Sequence, residues 1–144
     1  MYWHKTPGWL RRFYPAFTWR KPAAENRLYL TFDDGPVPGV TEWVLEQLDQ
    51  HHVKATFFCV GDNIRKHPEV YTWLRQRGHA VGNHTHNHLN GWKTPADEYV
   101  RNVRFCQKFV NSEKRLFRPP YGRISRKQAA ALRQDGYEIV MWDV

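Results

Sequence analysis

The stretch LYLTFDDGP, residues 28–36, decides how the rest of the chain is read. Leu28–Phe32 is an apolar run of strand length that breaks off at the turn formers Asp33-Asp34-Gly35-Pro36. Neighbouring strand residues face opposite sides, so two adjacent carboxylates converge on one place only where the strand has ended. Gly35 permits the turn this requires. The segment therefore reads as a buried strand whose carboxyl end carries two acids.

The same alternation recurs downstream. Thr41 is placed to cap a helix through about Gln50, with Trp43, Val44 and Leu48 on its apolar face. Ala55–Val60 (ATFFCV) reads as a second strand, and Pro68–Arg77 as a helix stopped by Gly78. His79–Gly82 is a short third strand. Thr94 at the N-cap and Pro95 at the first helical position open a helix to about Val110, and Leu116-Phe117 is a fourth strand. Ser125 caps a helix to Asp135, Gly136 ends it, and Tyr137–Trp142 is a fifth strand. Strand followed by helix, five times over, means a parallel sheet with helices outside. A full β/α barrel takes about 250 residues, so 144 are too few to close one. The fifth strand should then present an exposed edge. Trp43 and Trp73 are both expected in the core.

Composition narrows the classes. The 41% apolar and 15% aromatic content supports one folded domain rather than disorder. No apolar run reaches the roughly 18–20 residues of a transmembrane helix, and no secretory signal is visible. Cys59 and Cys106 form no CxxC and no disulfide scaffold, and Cys59 reads as an inert buried thiol. The net charge of +8 is concentrated in residues 1–27, which hold six cations and a single anion among seven aromatic residues. Residues 1–26 thus form a basic aromatic N-terminal segment. It is suited either to peripheral contact with a membrane or cell envelope, or to packing its rings on the domain with its cations in water. The excess charge is terminal, so a nucleic-acid partner is not expected.

Two further clusters fall at strand ends, where α/β folds gather their chemistry. His84 and His88 share a face if the segment is helical, and His84, His86 and His88 share one if it is extended. Two imidazoles and a carboxylate are a catalytic zinc pattern with a position left open. Arg118 can hold a carboxylate with a bidentate fork. Pro119 and Pro120 have no N–H, so Tyr121 and Gly122 offer the first backbone donors after it, a candidate oxyanion hole. Trp92, in the loop after His88, could stack on a sugar ring or simply pack.

TFDDG at 31–35, HTHNH at 84–88 and RPPYG at 118–122 closely resemble, in order and placement, the first three motifs of the polysaccharide deacetylase family (the NodB homology domain, carbohydrate esterase family 4). The resemblance covers about residues 27–144. It implies a distorted, here incomplete, β/α barrel of the TIM type, a divalent metal, most often zinc, and hydrolysis of the acetamide of N-acetylated sugars such as peptidoglycan or chitin-like polymers. By resemblance Asp33 is the catalytic base, oriented by Arg118. Asp34, His84 and His88 are the metal ligands, and the Tyr121 N–H faces the oxyanion. The family's general acid is a histidine in a late Leu-x-His motif. No histidine follows His88 here, and Asp143 lies where a fourth motif begins. The resemblance thus implies a shortened member, nearly inert alone, with a cell-envelope location suggested by family only. The competing expectation is a non-catalytic carbohydrate or envelope binder on the same fold.

Overall fold

A computed structural model describes residue 12 and residues 14–21 and 27–142 of the chain. Strands β1 (Thr31–Asp33), β2 (Thr56–Cys59), β3 (Ala80–Asn83), β4 (Leu116–Phe117) and β5 (Glu138–Ile139) form one parallel sheet in sequential order. Phe32 lies beside Phe57, Phe57 beside Val81, Asn83 beside Phe117, and Phe117 beside Ile139. A doubly wound sheet reverses its strand order at a switch point. This one does not, and it is an unclosed portion of a β/α barrel.

The helices are α1 (Val40–Gln50), α2 (Gly61–Lys66), α3 (Pro68–Gln76), α4 (Ala96–Val110) and α5 (Arg126–Gln134). In α4, Tyr99, Val100, Val103, Cys106 and Val110 recur at helical spacing and are all buried. Asp97 and Glu98 in its first turn and Lys108 in its last suit the helix dipole, and Asn111 ends it in a left-handed conformation (φ 44°). This helix joins two apolar clusters. One face packs with Leu45, Leu48, Tyr71 and Leu74 over Phe57, Cys59 and Val81. The other packs with Ala129 and Leu132 over Phe117 and Ile139.

Several local expectations change. Thr41 is not the cap of α1: Gly39 holds that position, and the Thr41 hydroxyl accepts from the Val37 N–H at 2.8 Å. At α4 the cap is Pro95, because the Thr94 hydroxyl is spent on Asn90 O at 2.8 Å. Ser125 does cap α5, accepting from the Gln128 N–H at 3.3 Å while the Gln128 side chain accepts from the Ser125 N–H at 2.8 Å. Helix α2 has no counterpart in the sequence reading. Trp43 and Trp73 are 61% and 42% exposed, so neither is core.

The edge of β5 is also not bare. Thr18 forms a parallel bridge with Val140: the Thr18 N–H donates to Ile139 O and the Met141 N–H to Thr18 O, each at 2.8 Å. The Thr18 hydroxyl and Lys21 Nζ both reach Glu138, at 2.8 and 3.3 Å. Tyr14, Phe17 and Trp19 stack in series and pack on the cluster around Phe117. Of the two readings of the N-terminal segment, these rings follow packing. The remaining aromatic and basic residues of 1–11, 13 and 22–26, and Asp143, lie outside the described residues.

Candidate metal centre

Asp33 ends β1, and Asp34 follows in a left-handed conformation (φ 69°), which turns its carboxylate away from the strand's alternation. Its backbone is pinned from α2, where Asn63 Nδ2 donates to Asp34 O at 2.7 Å. The histidine loop leaves β3 equally abruptly. Thr85 (φ 63°) and His88 (φ 53°) are both left-handed, so neither a helical nor an extended periodicity applies. The loop is tied down by its neighbours: the Gly61 N–H donates to Thr85 O and the Asp62 N–H to His86 O, both at 3.0 Å. Asn102 Oδ1 accepts from the N–H groups of His86 (2.7 Å) and Asn87 (3.2 Å).

The result separates the three imidazoles. His84 and His88 face each other with ring centroids 5.1 Å apart, whereas His86 is turned into Phe105 and Phe109. His84 Nε2 lies 3.2 Å and His88 Nε2 2.9 Å from Asp34 Oδ1. One ligand atom from each of the three residues falls within 4.8 Å of the other two. Asp34 and His88 open onto a cleft of about 340 Å³ that Val60, Asp62, Asn63 and Asn87 also line, with His84 buried behind them.

The chemistry of this donor set suits a cation. His84, buried, has its Nδ1 2.8 Å from Arg118 O, and a carbonyl only accepts, so that nitrogen carries the hydrogen. In the neutral ring the Nε2 lone pair then points at the Asp34 carboxylate, a repulsive contact that a cation between them makes favourable. A proton on Nε2 can take that cation's place: the hydrogen bond it lets His84 make, helped by His88 and opposed by burial, holds the Asp34 carboxyl below the usual carboxylate range. Burial lowers His88 against the opposing pull of Asp34, keeping it in the neutral form a metal needs.

Arg118, 3% exposed, comes off the end of β4 and distributes its donors. Nη1 reaches Asp33 Oδ1 and Thr31 Oγ1, both at 2.8 Å, Nη2 reaches Met141 O at 3.0 Å, and Nε reaches Val140 O at 3.3 Å. Its plane lies over the Phe58 ring, 4.2 Å from the centroid. The expected bidentate fork on one carboxylate is therefore a single bond to Asp33, with the other donors tying β1 to the residues after β5. At the next turn Tyr121 is left-handed (φ 60°). The Gly122 N–H is taken by Pro119 O at 3.0 Å, which leaves that of Tyr121 as the donor at this strand end.

Sequence reasoning missed four supports of the site: Asn63, Asn102, Thr31 and the Tyr121 hydroxyl, which sits 3.1 Å from His88 Nδ1. None carries a local pattern, since each meets its partner only through the fold.

Residues 20–140 match the family model described as polysaccharide deacetylase. The chain belongs to the polysaccharide deacetylase family. Its similarity to individual members is substantial. A peptidoglycan-N-acetylglucosamine deacetylase of Bacillus cereus is 35% identical over 95% of this chain and 50% of its own length. Chitin deacetylase 1 of Saccharomyces cerevisiae is 35% identical over 82% of this chain and 39% of its own. The crystal structure of a peptidoglycan N-acetylglucosamine deacetylase superposes with a TM-score of 0.85 at 35% identity, covering 93% of this chain and 64% of that one. This polysaccharide deacetylase chain thus spans about half the length of the Bacillus cereus relative.

Proposed function

We propose that this member of the polysaccharide deacetylase family hydrolyses the acetamide of N-acetylglucosamine units in peptidoglycan or a chitin-like polymer, releasing acetate. The observation carrying this reading is that Asp34, His84 and His88 share one point while Asp33, held by Arg118, stands at the same strand end. A divalent metal, zinc by preference for two imidazoles and a carboxylate, would be held by those three residues and would polarise the amide carbonyl and lower the pKa of water at the site to about 7.

The chain's own residues supply the rest. Arg118 engages Asp33 Oδ1, which fixes the carboxylate and leaves its other oxygen to take a proton from the attacking water. The Tyr121 N–H donates to the oxyanion that develops on the acetyl oxygen. Arg118 O holds His84 in one tautomer and ring orientation, as a carbonyl behind a ligating imidazole does elsewhere. A pure binding role would need neither the Asp33–Arg118 pair nor a spare donor at Tyr121. Proton delivery to the departing amine is the part these residues do not supply. Among the described histidines, His86 is turned into an aromatic pocket and His79 sits against Phe57. Without a proton donor from this set, turnover is expected to be slower by the roughly 10²–10⁴-fold that a general acid contributes. Such a substrate places the work at the cell envelope. No described helix is long and apolar enough to cross a membrane.

Acetate release from N-acetylglucosamine oligomers, with zinc supplied, tests this. The chain should show slow release that falls by at least about 100-fold in Asp33→Asn. Release unaffected by that change would contradict the assignment.

A further inference from the structure

The loop carrying His88 and the loop carrying Tyr121 run on together past the metal centre. The Gly91 N–H donates to Arg123 O at 3.2 Å, and Gln128 Nε2 donates to Gly91 O at 2.8 Å and Thr94 O at 3.0 Å. This clamp fixes a one-turn helix, Gly91–Lys93, against the start of α5 and leaves Trp92 68% exposed. The Arg123 guanidinium lies over that ring, 5.2 Å from its centroid. Among the described residues no carboxylate pairs with Arg123. Arg126, exposed at the first position of α5, follows three residues after Arg123, and the first turn of that helix has no acidic residue.

A large apolar ring on a rigid loop, with an arginine beside it, offers two kinds of recognition at once. The ring's face suits the C–H face of a sugar, and the guanidinium fork suits a carboxylate. We propose that Trp92 and Arg123 form a second sugar position, for the residue next to the one being deacetylated, which selects glycans whose neighbouring sugar bears a carboxylate. This rests on the deacetylase reading and deepens it, because every second sugar of a peptidoglycan strand carries a lactyl group, whose carboxylate is free where the stem peptide has been removed, whereas chitin carries none.

Calorimetric titration of the zinc-loaded 144-residue chain with two tetrasaccharides decides the matter: chitotetraose, and the alternating N-acetylglucosamine–N-acetylmuramic acid oligomer. The acidic oligomer should bind about fivefold more tightly at low salt, the scale of a partly exposed ion pair. Arg123→Gln should bring it down to the affinity of chitotetraose, and Trp92→Ala should weaken both. Equal affinities in the unaltered chain, a preference that survives Arg123→Gln, or binding of neither glycan overturns the proposal. Zinc uptake measured on the same samples separates the failures. If zinc binds, only the second sugar position is lost; if it does not, the deacetylase reading falls with it.

Discussion

Asp33 and Asp34 acquire different partners because one keeps the strand conformation and the other takes φ 69°. That single backbone change sends one carboxylate to Arg118 and the other to His84 and His88. The residue types were legible in the sequence, since carboxylates and imidazoles at strand ends advertise their chemistry. Their supports were not, because Asn63 and Asn102 are ordinary polar residues until α2 and α4 are in place. Nor was the exposure of Trp43, whose place on an apolar helix face with Val44 and Leu48 argued for burial although it stands 61% exposed. A buried residue outside the site yields a pH prediction. His79, 6% exposed, accepts from the Ala55 N–H through Nδ1 at 3.3 Å, and its Nε2 has no partner. Burial, with help from Lys54, lowers its pKa from the ordinary 6.5. Below that value the unfolded chain binds a proton that the folded chain resists, so the contribution of His79 is complete above about 6.5 and lost as pH falls. Burial pushes His86 in the same direction. The thermal midpoint should fall between about pH 7 and pH 5, before carboxylates titrate. His79→Gln, which keeps an acceptor, should flatten that slope; an unchanged slope would show that His79 is not responsible.

At the scale of elements, strands ending in polar turns and helices with a 3.6-residue apolar period were readable, and α4 is the clearest case. Helix α2 was not, because GDNIRK has one apolar residue, Ile64, and six residues are too few for a period to show. Strand β5 is only two residues long, and its outer edge is covered by a segment 120 positions away in sequence, which no local pattern announces. Thr18 is the residue that covers it. Thr18→Pro removes the N–H that bonds to Ile139 O and should cost about 1 kcal/mol in urea unfolding, the net worth of one such bond. By uncovering the β5 edge it should also raise the aggregation rate on light scattering. A variant as soluble and stable as the parent would mean that the bridge protects nothing.

For the whole molecule, five parallel strands in sequential order make an arc, and Arg118 spans its interior from β4 to β1 and to the carbonyls after β5. The candidate site sits at the carboxyl edge of that arc, where strand ends and their loops can aim side chains at one point. The parallel sheet with outer helices was legible from strand–helix alternation, and length excluded a closed barrel; that the sheet is part of a barrel came from the resemblance of the three motifs. The closeness of β1 to the end of β5 was not, because it depends on a buried guanidinium satisfying several elements at once. Everything functional rests on Asp34, His84 and His88 acting as one ligand set. Titration with Zn²⁺, followed calorimetrically at neutral pH, tests this directly. The chain should take up a single ion, and Asp34→Ala and His84→Ala should each abolish uptake while the circular dichroism of the fold is kept. Uptake that persists undiminished in both variants would contradict it.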